Sequence, residues 1–310
     1  MKKTHIPPEI QPYLRIGTCS WKYDSWKGLY YDPEKNYSPD DYLRDYARNL
    51  NSVEIDQWFW SLFPGSIKLP DLGTVITYAQ CVPKDFIFTV KAPNSLTLTH
   101  FYAKQPPRYA DYAGKSNPYF FDNQLLIQFL DLLDPLKTKL GPVMFQFEYL
   151  NKKKMPSQQD FQNYLHKFIS AAPKEYEYAV EIRNPNYLNQ RFFDFLKEYE
   201  LGFVYLDGYY MPPISEIYQK YHPYTASFNI IRLHGGDRME IEKQTGSIWN
   251  SVISPKPEGL KAAAQIVKEN TYKEIVTYVN INNHYEGSAP LTVERFKETI
   301  IEEFSRNTSF

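Results

Sequence analysis

The chain has 310 residues, 43% of them hydrophobic and 23% charged, with 35 basic and 36 acidic side chains and a formal net charge of −1. That balance is typical of a folded globular protein and excludes disordered and fibrous classes. It also removes the simplest argument for a nucleic-acid binder, because no basic excess is present to neutralise phosphates.

In chain order, short apolar runs alternate with helical patterns. The strand-like runs are Arg15–Ser20, Ser52–Asp56, Phe86–Lys91, Val143–Phe147, Tyr178–Arg183, Gly202–Leu206, Asn229–His234 and Val276–Asn282. The helix-like stretches are Asp40–Leu50, Asn123–Leu133, Gln158–Ile169, Arg191–Glu200, Pro257–Asn270 and Val293–Phe304. Ser38-Pro39 is a helix-start signal, and Ser157 before Gln158 and Asp160 is another. Residues 63–82 and 207–226 hold prolines and glycines where a second and a sixth helix belong, so irregular connections are expected there. Residues 92–120, with Pro93, Pro106, Pro107 and Pro118, read as a long loop covering a site.

Strands alternating with helices imply parallel βαβ units. Eight of them in about 300 residues predict an α/β fold of the (β/α)8 TIM-barrel type, one domain over residues 1–310, with long loops at its C-terminal face. A doubly wound open sheet is the alternative. It normally carries a glycine fingerprint after its first strand, whereas Trp21-Lys22-Tyr23-Asp24 stands here.

The strands also carry a polar parity. Side chains alternate faces along a strand. Val53 and Ile55 therefore share one face while Glu54 and Asp56 share the other. The same holds for Val180 and Ile182 against Glu181 and Arg183, and for Ile231 and Leu233 against Arg232 and His234. Lys91, Gln146, Asn280 and Asn282 follow the rule. One reading is a structural network of paired charges. The other is a ligand site, because these positions lie toward the C-terminal strand ends, where barrel enzymes keep their chemistry.

As chemistry, Lys91, Arg183, Arg232 and His234 form a cradle for phosphate or carboxylate, helped by the amides of Gly235-Gly236. Arg232 is expected to be the cation left over once Arg183 offsets Glu181 and Lys91 offsets Glu54, unless Asp56 supplies its acceptor. Glu181, His234 and Glu54 are the acid–base candidates. Gln146, His100, Asn282, Asn283, His284 and Trp21 are candidate ligand contacts. Trp21, Tyr23, Trp26, Trp58, Phe59 and Trp60 could stack sugar rings or unpaired bases, or simply anchor loops. No cofactor is expected. A divalent metal would have to be drawn from Glu54, Glu181, His234 and His284, against three cations of the same layer.

Cys19 and Cys81 give no disulfide framework and no metal spacing. Met1–Ile10 has no apolar signal-peptide core, and no apolar run is long enough to span a membrane. A cytoplasmic protein with reduced thiols is expected.

The motifs carrying these residues resemble the DUF72 family, also called YecE-like proteins. They are Ile16-Gly-Thr-Cys-Ser-Trp-Lys-Tyr-Asp-Ser-Trp26, Leu50-Asn-Ser-Val-Glu-Ile-Asp56 with Trp58-Phe59-Trp60, and Phe86-Ile-Phe-Thr-Val-Lys-Ala-Pro93 running to His100. Leu140-Gly-Pro-Val-Met-Phe-Gln-Phe147, Val180-Glu-Ile-Arg-Asn-Pro185, Ile231-Arg-Leu-His-Gly-Gly236 and Val279-Asn-Ile-Asn-Asn-His284 with Gly287-Ser-Ala-Pro290 complete the series. The resemblance implies a TIM-type barrel and supplies no reaction. Trp21 directly after Ser20, Trp60 after Phe59, and Glu148 depart from the family's usual glycine, tyrosine and proline.

The expectation is therefore a polar, partly cationic pocket at the barrel top. It would bind a phosphorylated, otherwise anionic or sugar-like small molecule and catalyse hydrolysis or isomerisation by acid–base chemistry. A non-catalytic ligand- or nucleic-acid-binding module using the same pocket is the alternative. A scaffold whose polar layer is purely structural is the third reading.

Overall fold

A computed structural model describes residues 4–306. Eight parallel strands form the barrel: β1 Leu14–Thr18, β2 Ser52–Ile55, β3 Ile87–Lys91, β4 Leu140–Gln146, β5 Tyr178–Glu181, β6 Gly202–Gly208, β7 Phe228–Gly235 and β8 Val276–Ile281. Each is followed by its helix: α1 Pro39–Tyr46, α2 Leu72–Cys81, α3 Asn123–Leu132, α4 Gln158–Ala171, α5 Gln190–Glu198, α6 Ile214–Tyr221, α7 Pro257–Tyr272 and α8 Ala289–Ser305. The hydrogen-bonded order is β1-β8-β7-β6-β5-β4-β3-β2. The fold is the α/β (β/α)8 barrel, and the open-sheet alternative is excluded.

The ring closes between β1 and β2 by side chains more than by a ladder. A single parallel bridge joins Cys19 to Glu54. The Tyr46 hydroxyl accepts from the Thr18 amide and donates to the Ser52 carbonyl, both at 2.9 Å, in place of a ladder bond. The Asn51 carboxamide accepts from the Ile16 amide at 2.9 Å. Gly17 is required here, because a Cβ on it would lie 2.4 Å from the Ser52 carbonyl oxygen.

Two elements differ from expectation. Residues 63–82 and 207–226 do contain helices, α2 and α6. The prolines precede or follow the helices rather than interrupt them, and Asp71 caps α2 through the Thr74 amide. An additional helix, Arg238–Thr245, lies between β7 and α7, started by Asp237.

The parity is realised. The barrel interior is apolar toward the N-terminal end, where Met144, Ala179, Val204, Phe228, Ile230 and Tyr278 form their own cluster. Two residues further along the same strands, the inward side chains turn polar: Gln146 follows Met144, Glu181 follows Ala179, Arg232 follows Ile230, and Asn280 follows Tyr278. The opposite faces, with Val53, Val90, Phe145, Val180, Ile231 and Val279, join the large core beneath the helices.

Residues 92–120 leave the C-terminal end of β3. Asn94–Thr97 form a buried turn of helix whose Asn94 accepts from the Ser61 and Leu62 amides. This part is a packed wedge against the loop after β2. The stretch beyond it, residues 103–116, is largely exposed.

Candidate functional site at the barrel mouth

Arg232 of β7 is the centre of the polar layer and is almost completely buried. Its Nε and Nη2 donate to the two oxygens of Glu54, both at 2.7 Å, in a bidentate pair. Its Nη1 donates to Glu181 Oε2 and, at 3.3 Å, to Gln146 Oε1. Asn280 Nδ2 donates to Glu54 Oε2 at 3.3 Å and to Thr89 Oγ1 at 3.0 Å. Glu54 and Glu181 expose no surface. Burial alone would raise the Glu181 carboxyl, but Arg232, Arg183 and Lys91 outweigh it and hold it below its ordinary value. This layer is a hydrogen-bonded floor in which the charged groups are paired, with Asn280 Oδ1 left without a partner among the described residues.

The charge balance expected from the sequence is thereby corrected. Arg232 is not the cation left over, because its fork is filled by two carboxylates. Lys91 is. Among the described residues its ammonium has no carboxylate within ion-pair distance; it rests 3.8 Å from the centre of the Phe59 ring. Burial, then Arg232, bring its pKa down to about 8, against the pull of Glu54, Asp56 and Glu181. Arg183 holds one oxygen of Glu181 at 3.0 Å, keeps about a quarter of its side chain exposed, and stacks over the Tyr209 ring at 4.3 Å.

His234 sits one step above Arg232. Its Nε2 lies 3.4 Å from Cys19 Sγ and its Nδ1 lies 3.3 Å from the Tyr209 hydroxyl. Burial, then Arg232, Arg183 and Lys91, push its pKa well down, so the ring is neutral. Burial and Glu54 push the Cys19 thiol up, and a protonated buried thiol is a poor nucleophile. Asp56, beyond Glu54 on β2, is raised by burial and by Glu54.

Tyr209 joins the site without being singled out by the sequence. Tyr209 lies past the end of β6 with a left-handed backbone, φ 53°, and Gly208 before it passes so close to Gly235 that a Cβ would meet the Gly235 oxygen at 2.0 Å. No strand parity extends to such a position. Asp56, just past the end of β2, is the acceptor the sequence offered Arg232 as an alternative, and Glu54 and Glu181 take that role instead.

Other expected contacts have structural partners. Asp237 caps the helix after Gly235-Gly236, accepting from the Met239 and Glu240 amides. Asn282 accepts from the His284 amide, and His284 Nε2 meets Glu242 at 3.0 Å. Asn283 Oδ1 accepts from Trp26 Nε1 at 3.1 Å and from the Ala289 amide at 2.9 Å. His100 is bound to Thr99 and bridges to Ser116 within its own loop, and no hydrogen bond among the described residues joins it to the central cluster. Trp21 is buried edge-on against Tyr78 and is a packing anchor. Of the aromatics after β1 and β2, Trp60 is the one that stands well out, 58% exposed and near Tyr102.

For a metal, one donor of each of Cys19, Glu54 and His234 falls within 4.8 Å of the others. Both Glu54 oxygens already bind Arg232, and three cationic side chains surround the set. These donors do not form a free coordination site.

Fold and site together define a (β/α)8 barrel with a charge-paired layer toward the C-terminal strand ends, joined there by Lys91, Arg183 and His234. The chain belongs to the family described as protein of unknown function DUF72, whose model matches residues 15–308. A DUF72 family protein from Thermotoga maritima is 24% identical, with a TM-score of 0.64 over 93% of this chain and 99% of that one. A DUF72 family protein from Enterococcus faecalis is 19% identical, with a TM-score of 0.64 over 93% of this chain and 95% of that one. No curated protein matches the chain. Among the described residues no helix is long and apolar enough to cross a membrane.

Proposed function

We propose that the barrel mouth binds a small anionic or sugar-like molecule and acts on it by acid–base chemistry. The observation that carries this reading is the pair of cations above the floor. Lys91 has no carboxylate partner, and Arg183 keeps part of its guanidinium face toward solvent. A phosphate or carboxylate group supplies the acceptor that Lys91 lacks and a second one for Arg183, which already holds one Glu181 oxygen. His234 in the same cluster is neutral and held by Tyr209 and Cys19, and Asp56 carries a raised pKa. A neutral imidazole accepts a proton and a carboxyl with a raised pKa donates one, the division of labour that acid–base catalysis needs. Glu54 and Glu181, the carboxylates favoured by sequence, serve this reading as the counter-charges that fix Arg232.

The test is calorimetric titration of inorganic phosphate and of a sugar phosphate into the wild type, Arg183→Ala and Lys91→Met. Weakening of about tenfold or more in each variant, and weaker binding at higher salt, is expected. Equal affinity in all three proteins removes the reading. Turnover lost in His234→Gln with binding retained separates an enzyme from a binding module.

A further inference from the structure

We infer that Lys91 is an amine nucleophile, and that the mouth takes a carbonyl compound, an open-chain aldose or ketose being the class that fits, which it captures as an iminium. The inference deepens the ligand reading above by naming the reacting group and rests on it for the anionic handle alone.

Four observations point the same way. First, Lys91 ends β3 inside the mouth, where strand-end side chains meet ligands in this fold. Second, its nitrogen is unpartnered. Of the buried carboxylates that act on it, Glu54 and Glu181 spend their oxygens on Arg232, Arg183 and Asn280, and among the described residues Asp56 forms no ion pair with it. A lysine kept only for charge balance would be paired with one of them. Third, the ammonium is buried, with the Phe59 ring 3.8 Å from it, and the buried guanidinium of Arg232 acts on it electrostatically. Burial and a neighbouring cation are the two devices that free an amine of its proton. The pKa of about 8 expresses that environment. Fourth, an acid is at hand. Asp56 acts on Lys91 electrostatically and is itself biased toward its protonated form by burial and by Glu54.

The chemistry balances with these groups. The Lys91 ammonium passes one proton to the Asp56 carboxylate, and the neutral amine so formed adds to the carbonyl carbon, forming the C–N bond. The carbonyl oxygen takes the proton that nitrogen sheds, giving a carbinolamine. The C–O bond then breaks with the nitrogen lone pair forming C=N, while the departing hydroxyl takes the Asp56 proton. Water leaves, and an iminium remains beside the Asp56 carboxylate. Neutral His234, held between Cys19 and the Tyr209 hydroxyl, is positioned above the floor as a base for a proton next to the iminium carbon. No oxidant or reductant is needed.

The experiment is reductive trapping on the full chain. The protein is incubated at pH 7 with sodium cyanoborohydride and either glycolaldehyde or glyceraldehyde 3-phosphate, digested, and mapped by mass spectrometry. Lys91 should be labelled at least ~10-fold faster than exposed lysines such as Lys152, since far more of its amine is neutral at that pH. The labelling rate should rise with a midpoint near 8, with Arg232, Glu54, Asp56 and Glu181 as the charges that set it. Labelling of Lys91 no faster than of Lys152 by either aldehyde overturns the inference. In that event, phosphate binding seen by calorimetry leaves the anion reading standing. Equal trapping of both aldehydes with no protection by added phosphate has the opposite meaning, removing the anion site and retaining the nucleophile. Lys91→Met, checked for folding by circular dichroism, must lack the adduct while Lys152 labelling is unchanged.

Discussion

At the scale of single residues, the floor and the mouth obey different energetics. Glu181, Glu54 and Arg232 are desolvated charges that satisfy one another. Removing one partner strands another in the interior, so Glu181→Leu should lose about 3–5 kcal/mol of stability. A urea midpoint shift corresponding to under about 1 kcal/mol would show that the floor is not the structural unit its hydrogen bonds indicate. Lys91 is the converse case. Its charge is buried without a partner, so Lys91→Met, with its unbranched side chain against Phe59, should hold or raise stability while abolishing ligand capture. His234 adds a pH dependence of fixed sign. Its folded pKa lies well below the ordinary 6.5, so below that value the unfolded chain binds a proton that the native state refuses. Stability is therefore fully present above about pH 6.5 and falls as pH drops, by up to about 1.4 kcal/mol per unit. His284, also lowered by burial, adds to the same window. Chemical denaturation between pH 7 and 5 should show this slope, and His234→Gln should flatten much of it. An unchanged slope in that variant would mean that other groups carry it.

At the scale of elements, strands are legible because a barrel strand buries one face against helices and the other inside, and inward polar residues stand out against that background. Val180-Glu181-Ile182-Arg183 and Ile231-Arg232-Leu233-His234 announce both their secondary structure and their depth. Pairing is not legible. Glu54 and Arg232 are 178 residues apart, and parity places them in one layer without saying which carboxylate meets which cation. Parity alone accordingly gives Arg232 the free role that belongs to Lys91. Helices α2 and α6 are obscured because Pro64, Pro70, Pro212, Pro213 and Pro223 crowd their flanks, where proline is tolerated. Tyr209 is hidden by its left-handed backbone beyond β6. The seam between β1 and β2 gives an element-scale prediction. Tyr46→Phe leaves the Thr18 amide and the Ser52 carbonyl without their shared hydroxyl, at a cost of about 1–3 kcal/mol. Thermal unfolding of the variant checks it, and an unshifted melting temperature would mean that water replaces the hydroxyl there.

At the scale of the whole molecule, the barrel is a hoop whose ring of backbone bonds is thinnest where β1 meets β2. Cys19 stands on one side of that join and Glu54 on the other, and the two are bridged backbone to backbone. The same two residues face the mouth, Cys19 through His234 and Glu54 through Arg232. Opening the hoop and dismantling the mouth are therefore one motion. A molecule seated in the mouth acts as a clasp, since any occupant that needs Arg232 and His234 in place is lost when the join parts. Hydrogen exchange can read this directly. The Ser20 amide, bonded to the Glu54 carbonyl at 3.1 Å, should exchange sooner than amides in the β7–β8 ladder, and saturating ligand should slow it first. Fastening of this kind makes occupancy of one end of the barrel audible along its whole height, through a strand pair that carries almost no ladder of its own.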